Sequence, residues 1–254
     1  MYLDLKDLTV KKIYVDLANM APLKSIVYTE KEIDCNSPIL VQGLPGIGFV
    51  ASIAVLHMVR KLGAVKFGEI YSPYFQDAVF ATGEGDVRRP GIEMYFAKSK
   101  SRDMILIYGN TQPLTRYGQY EVTGKILDIA SSYKCGSLVS FAGLRKERVM
   151  GSPKVFCTAS CFEMLEKALE RDIHPMSGEI YGMAGLLIGL ARLREMHGLC
   201  LLAETVGALD PRAAKAVLEK FCEIYNVILD LSDLDIAASS LNERLKYPET
   251  SRLL

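Results

Sequence analysis

The sharpest chemical feature of this 254-residue sequence is the stretch Gly43-Leu44-Pro45-Gly46-Ile47-Gly48-Phe49-Val50-Ala51. Gly46-x-Gly48-x-x-Ala51 has the spacing of a dinucleotide fingerprint, whose glycines let the backbone approach a pyrophosphate at a helix N-terminus. Glu69 lies at about the distance at which such a site places its ribose-binding acid. Glycines at a strand-to-helix turn also serve close packing with no ligand. Ile47 and Phe49 put apolar side chains where a phosphate site needs polar ones. No Lys-Ser/Thr pair follows the glycines, which excludes a P-loop. Spacing alone leaves a structural turn and an anion site both open.

Beyond the turn, carboxylates at strand ends carry the enzymatic possibility: Glu204, with Glu121 and Glu179 as alternatives, and Arg145 or Arg116 as an anion partner. Segments that follow strands converge on one rim in a doubly wound sheet. Gly43, Pro45, Gly46, Gly48, Asn110 and Glu204 are therefore the candidate ligand rim, with Ala142-Gly143 beside them. Three histidines are few for His-based chemistry: His57 sits among apolar helix positions, His174 precedes a proline, and His197 stands at a helix end. No Gly-x-Ser-x-Gly elbow is present. The six cysteines form no C-x-x-C pair. Cys157 and Cys161 could share a helical face, yet no His or second pair accompanies them, so free thiols in a reducing compartment are expected. No catalytic residue, metal ligand or cofactor is assigned.

Alternating elements must hold these groups in place. Continuous apolar runs at Ile39–Val41, Met104–Tyr108, Ser137–Phe141 and Leu199–Ala203 suit buried strands. Shorter strand candidates lie at Lys66–Tyr71, Ala78–Ala81, Ile92–Ala97 and Val155–Cys157. Helical spacing runs over Phe49–Leu62, Tyr117–Tyr133, Ser160–Arg171, Gly182–Met196 and Leu231–Leu245. A further helix opens at Asp210-Pro211, with Asp as N-cap and Pro at the first helical position, and reaches Tyr225. Ser160 with Glu163 reads as a capping box. Strands of this kind alternating with helices predict an α/β protein: a three-layer α/β/α sandwich with a mostly parallel sheet. One domain over residues 1–254 is expected, with an irregular segment 1–33 (Val10–Val15 suiting an edge strand) and a C-terminal helix and tail over 230–254.

Lys plus Arg and Asp plus Glu both number 30, and this balance argues against nucleic acid as a partner. The start has no basic stretch leading into an apolar run. The most apolar segment, Gly182–Leu193, falls short of the roughly 20 residues that cross a bilayer. A cytoplasmic protein without membrane contact is expected. Gly182, Gly185 and Gly189 recur at i, i+3 and i+7, where small residues admit another backbone. Leu234 and Leu241 belong to the apolar stripe of the last helix, which must be buried against something. These five are the interface candidates.

Four ordered segments resemble the PAC2 family of proteasome-assembly-chaperone-like proteins, its archaeal branch most of all. They are Leu40–Ala51, Gly109-Asn110-Thr111-Gln112-Pro113, Gly178–Leu187, and Ala203–Gly207 with Asp210–Ala214, together spanning residues 35–225. The resemblance implies a fold similar to nucleoside phosphorylases and self-association into a homo-oligomer. It also implies a non-catalytic assembly chaperone or adaptor that binds proteasome α subunits or another protein complex. The alternative is a phosphorylase-like or nucleotide-binding enzyme using the rim of glycine loops. Family chaperones that dock into the α-ring carry a hydrophobic-Tyr-any tripeptide at the C-terminus, whereas this sequence ends Ser251-Arg252-Leu253-Leu254.

Overall fold

The computed structural model describes residues 24–81, 83, 85–99 and 102–246. The Val10–Val15 stretch and the 247–254 tail lie outside the described residues. The chain runs β1 (Ile26–Thr29), β2 (Ile39–Gly43), a 3-10 turn (Ile47–Phe49), α1 (Val50–Lys61) and β3 (Val65–Tyr71). A small hairpin, β4 (Phe80–Ala81) with β5 (Val87–Arg88), precedes β6 (Ile92–Ala97), β7 (Met104–Gly109) and α2 (Arg116–Ser132). Next come β8 (Ser137–Arg145), β9 (Val155–Ala159), α3 (Phe162–Leu169) and β10 (His174–Pro175). The chain continues through α4 (Met183–Leu193), β11 (Gly198–Thr205), α5 (Pro211–Tyr225) and α6 (Ser232–Lys246).

Nine strands form one sheet in the order β1-β3-β6-β7-β2-β8-β11-β9-β10. Its centre, β7-β2-β8-β11, is parallel. Those are the four continuous apolar runs, buried on both faces, as parallel strands must be. Flanking this centre the pairing turns antiparallel, β1 with β3, β3 with β6, β6 with β7, and β9 with β11, whereas the short edge strand β10 pairs parallel with β9. Antiparallel strands tolerate one wet face, and β3 and β6 accordingly alternate buried and half-exposed residues.

Two apolar cores sandwich the sheet. On one side α1, α3, α5 and the start of α6 cover Ile39, Val41, Leu106, Val139 and Leu201. On the other, α2 and α4 cover Leu40, Ile105, Ile107, Leu138 and Cys200. Consecutive residues of each central strand thus feed opposite cores. The three-layer architecture expected from the alternation of elements is present.

Local details depart from expectation where tertiary contacts outrank sequence pattern. Ser160 does not cap α3. Its hydroxyl donates to Met196 O (2.7 Å) and accepts from Gly198 N (2.7 Å), tying β9 to β11, and Cys161 holds the cap position without a side-chain bond. Cys157 lies in β9, so Cys157 and Cys161 share no helical face. The segment Gly182–Met196 is helical only over Met183–Leu193, and His197 precedes β11 instead of ending a helix. Only Phe80–Ala81 of the Ala78–Ala81 run is a strand, whereas β8 continues to Arg145. Asp210 caps α5 as its sequence implies, accepting from Ala213 N at 3.0 Å. Lys61 pins the opening of α6 to α1 through Asp230 (2.7 Å) and Asp233 (2.9 Å).

Candidate functional site

The C-terminal ends of β2 and β8 open into a cavity of about 240 Å³. The glycine turn, Gln112, the end of β8 and the segment before α4 supply its walls. Most of the lining is apolar: Leu44, Ile47, Phe141, Met176, Ile180 and Leu202. Arg145, Glu179 and Tyr181 stand at it, and the Tyr181 hydroxyl donates to Glu179, a bond that raises the phenol's pKa.

The glycines of the turn hold backbone together. A Cβ on Gly43 would fall 2.4 Å from Val55 Cβ and 2.5 Å from the Ala51 carbonyl, so this position lets α1 lie against β2. Gly48 adopts φ +66° and would place a Cβ 2.8 Å from Thr205 Oγ1. Gly46 is extended (φ −165°), and a Cβ there would meet nothing nearer than Gln112 Nε2 at 4.0 Å. Of the two fingerprint glycines, Gly48 is thus packed against protein and only Gly46 has open space beside it. Glu69 sits within β3, separated from β2 by β6 and β7, and pairs with Lys66. It cannot serve as the ribose acid of this turn, because Rossmann geometry needs that acid beside the glycine loop.

The other rim candidates divide. Pro45 and Gly46 face a neighbouring depression of about 460 Å³ together with Ile47, Leu114 and Tyr181. Asn110 also touches that depression, but its amide is committed elsewhere: Nδ2 donates to Arg89 O (3.0 Å) and Oδ1 accepts from Gly91 N (2.9 Å). Glu204 lies outside the cavity, accepting from Lys154 N at 3.3 Å with Lys146 at 4.0 Å. Glu121 binds Ser25 of the β1 lead-in, the backbone N–H at 2.9 Å. His57 is buried and bonds the Asp230 carbonyl (2.7 Å), a packing role.

Residues 40–247 match the PAC2 family. The uncharacterized protein MJ1210 of Methanocaldococcus jannaschii is 33% identical over 228 residues, covering 88% of each chain. The chain belongs to the PAC2 family. Among solved structures, Pyrococcus furiosus PbaB, an archaeal proteasome activator, superposes with a TM-score of 0.83 at 32% identity. That match covers 89% of this chain and 99% of PbaB. Pyrococcus furiosus PbaA, an archaeal homolog of proteasome-assembly chaperone, shares the fold with a TM-score of 0.73 at 22% identity, over 87% and 94% of the two chains.

Around the cavity this PAC2 protein exposes an apolar rim. Leu114 (68% exposed) and Tyr181 (83%) flank the 460 Å³ depression with Ile47 (46%). Phe49 (49%), held at φ +52°, follows at the cap of α1. The Asp210 N–H bonds Gly48 O at 3.0 Å, which brings the β11–α5 loop, with Val206 and Leu209 half-exposed, beside the turn. Gln112 locks the arrangement: its amide donates to Pro45 O and its Oε1 accepts from Met183 N (3.2 Å), joining the turn to the start of α4. Sequence reading counted the Asn110-to-Gln112 segment among the strand-end loops that could converge on one rim, but it did not foresee that the Gln112 side chain would brace the turn against α4. Leu114 and Tyr181 carried no signal, since single apolar residues in loops are common.

The interface candidates fall in different surroundings. Gly182 (φ +83°) caps α4, and Gly185 packs on Ile180 of its own chain, so neither lies bare on a helix face. Gly189 is exposed with nothing within 4 Å of its would-be Cβ. Leu234 is consumed by the core under α5, whereas Leu241 lines a shallow depression of about 160 Å³ with Val206 and Leu209. No helix of the described residues is long and apolar enough to cross a membrane.

Proposed function

We propose that this chain is a protein-binding member of the PAC2 family that engages proteasome subunits through the apolar rim at the C-terminal ends of its central strands. The observation that carries this reading is the rim itself. Ile47, Phe49, Leu114, Tyr181, Val206 and Leu209 crowd one end of the sheet, the first two on the 3-10 turn and the other four on loops, in a region braced by Gln112 and Asp210. Contiguous exposed apolar surface of this kind is what a protein partner covers. The relation to PbaB, a proteasome activator at 32% identity, supplies the partner class.

Self-association belongs to the same reading. Gly189 leaves bare backbone on the outer side of α4, and Leu193, one turn on, is 79% exposed. The protein acts as a single folded domain in the cytoplasm, through its surfaces and without a catalytic centre or cofactor. Native mass spectrometry of the full chain, alone and mixed with proteasome α subunits of the same organism, tests the proposal. A defined homo-oligomer that forms a stoichiometric complex with the subunits is expected. A chain that ignores them, or that carries a bound nucleotide, contradicts it.

A further inference from the structure

A second surface lies on the α1 side of the sheet, away from the rim. The core on that side takes in no buried residue of β1 or β3 and only Ala97 of β6. Cross-strand partners share a face, so Tyr28, Glu69, Glu93 and Tyr108 form one row across β1, β3, β6 and β7. Lys66 and Tyr95 sit in the next row, and Tyr71 faces Ile26 beyond. A groove of about 670 Å³ runs over this face. Three arginines edge it: Arg60 from α1, Arg88 at the end of β5, and Arg89 from the strap between β5 and β6.

The charges of this groove are not balanced internally. Lys66 takes Glu69 and Glu93 (2.9 Å to the latter), and the Tyr95 hydroxyl donates to the other Glu93 oxygen at 2.8 Å. The floor's carboxylates are therefore used up. The guanidiniums of Arg60 and Arg88 make no hydrogen bond or ion pair among the described residues, and that of Arg89 only lies over the Tyr71 ring (5.0 Å) with its hydroxyl at 3.5 Å. Arg60 and Arg88 come from separate elements yet both act on Tyr108: burial and then Glu93 raise its pKa, and the two guanidinium charges oppose the rise. The strap is built rather than loose, since the Asn110 side chain bonds both Arg89 O and Gly91 N.

We infer that this groove docks an acidic segment of a protein partner, its carboxylates taken by Arg60, Arg88 and Arg89. Spare guanidiniums among tyrosines are the composition of energetically dominant protein interface positions. The charges are strung out: Tyr108 and Tyr71 stand on strands separated by β6, a span of roughly 10 Å at normal strand spacing. That distance suits side chains along an extended peptide better than one small anion. The inference rests on the protein-binding reading but uses a different face.

The test is fluorescence anisotropy of fluorescein-labelled octaglutamate titrated with the full chain at low and at physiological salt. The Arg60→Gln/Arg88→Gln double variant and competition by inorganic triphosphate complete it. Saturable, salt-sensitive binding that weakens about tenfold or more in the double variant is expected, since each lost charge-assisted pair counts heavily. Both positions are exposed, so an unchanged melting temperature confirms that the variant is folded. No saturable binding at low salt, equal affinity in the double variant, or triphosphate displacing the peptide at far lower concentration overturns the inference. The native-mass measurement reads the rim and this titration reads the groove, so each can fail without the other.

Discussion

If the glycines of the turn serve packing, Gly43→Ala and Gly46→Ala must differ sharply in stability. The new methyl at position 43 would sit 2.4 Å from Val55 Cβ and Cγ2 and 2.5 Å from the Ala51 carbonyl oxygen. Carbon atoms pack at about 3.5–4.0 Å, so α1 must move by more than an ångström relative to β2. Overpacking costs about 1–3 kcal/mol. The upper end applies here because Ala51 O is backbone and cannot rotate aside. For a chain of this size about 3 kcal/mol lowers Tm by roughly 6–12 °C. Gly46→Ala has extended backbone and open space, so its effect stays within about 0.5 kcal/mol, under roughly 2 °C. Thermal unfolding followed by far-UV circular dichroism, at one fixed protein concentration, reads both. A Gly43→Ala protein that melts with the wild type, or a Gly46→Ala protein that is equally destabilised, refutes the packing account.

Two further outcomes follow from the electrostatics of the fold. Hydrogen bonds from Lys61 and then Ser232 hold the Asp230 carboxyl well below the usual carboxylate range, and the Asp230 bond in turn raises Lys61. A depressed acid stabilises above its unfolded pKa near 4 and loses that contribution as pH falls through its folded value; a raised lysine loses its own only above about pH 10. The stability gap between wild type and Asp230→Asn should therefore be flat from about pH 5 to 9 and close below about pH 4 in pH-dependent denaturant titrations; a gap that widens in acid contradicts this. Burial pushes the Cys200 thiol up to about 12 and Cys157 up to about 11. Iodoacetamide at about pH 8 should spare both in the native protein and label them after unfolding, as read by mass spectrometry, because the thiolate is the reactive form; native labelling at the rate of a free thiol refutes it.

The central strands were legible because burial on both faces demands continuous apolar runs, and Ile39–Val41 and Met104–Tyr108 are such runs. Asp210-Pro211 was legible because an N-cap and a proline act within four residues. Ser160 misled for the opposite reason: the same local pattern was present, but its hydroxyl found Met196 and Gly198 across the sheet. The edge strand β1 gave little signal, since its half-buried residues depend on pairing with β3, about forty positions away. At the site, the apolar character of Ile47 and Phe49 was readable against a phosphate role. The rim they join was not, because Leu114, Tyr181 and Leu209 reach it from loops whose convergence only the sheet order determines. Asn110 was placed correctly at a strand end, yet its amide turned to brace the Arg89–Gly91 strap.

The measurement that bears most directly on the rim as a protein-binding surface is the affinity of immobilised proteasome α subunits for the wild type and for an Ile47→Asp/Tyr181→Asp variant, by surface plasmon resonance. Tyr181 is largely solvent-exposed and Ile47 about half, and the variant's melting temperature checks that it is folded. Saturable binding by the wild type that falls about tenfold or more in the variant, the loss of about 1.4 kcal/mol, is the predicted result. Undiminished binding by the variant, or none by the wild type, would contradict the account.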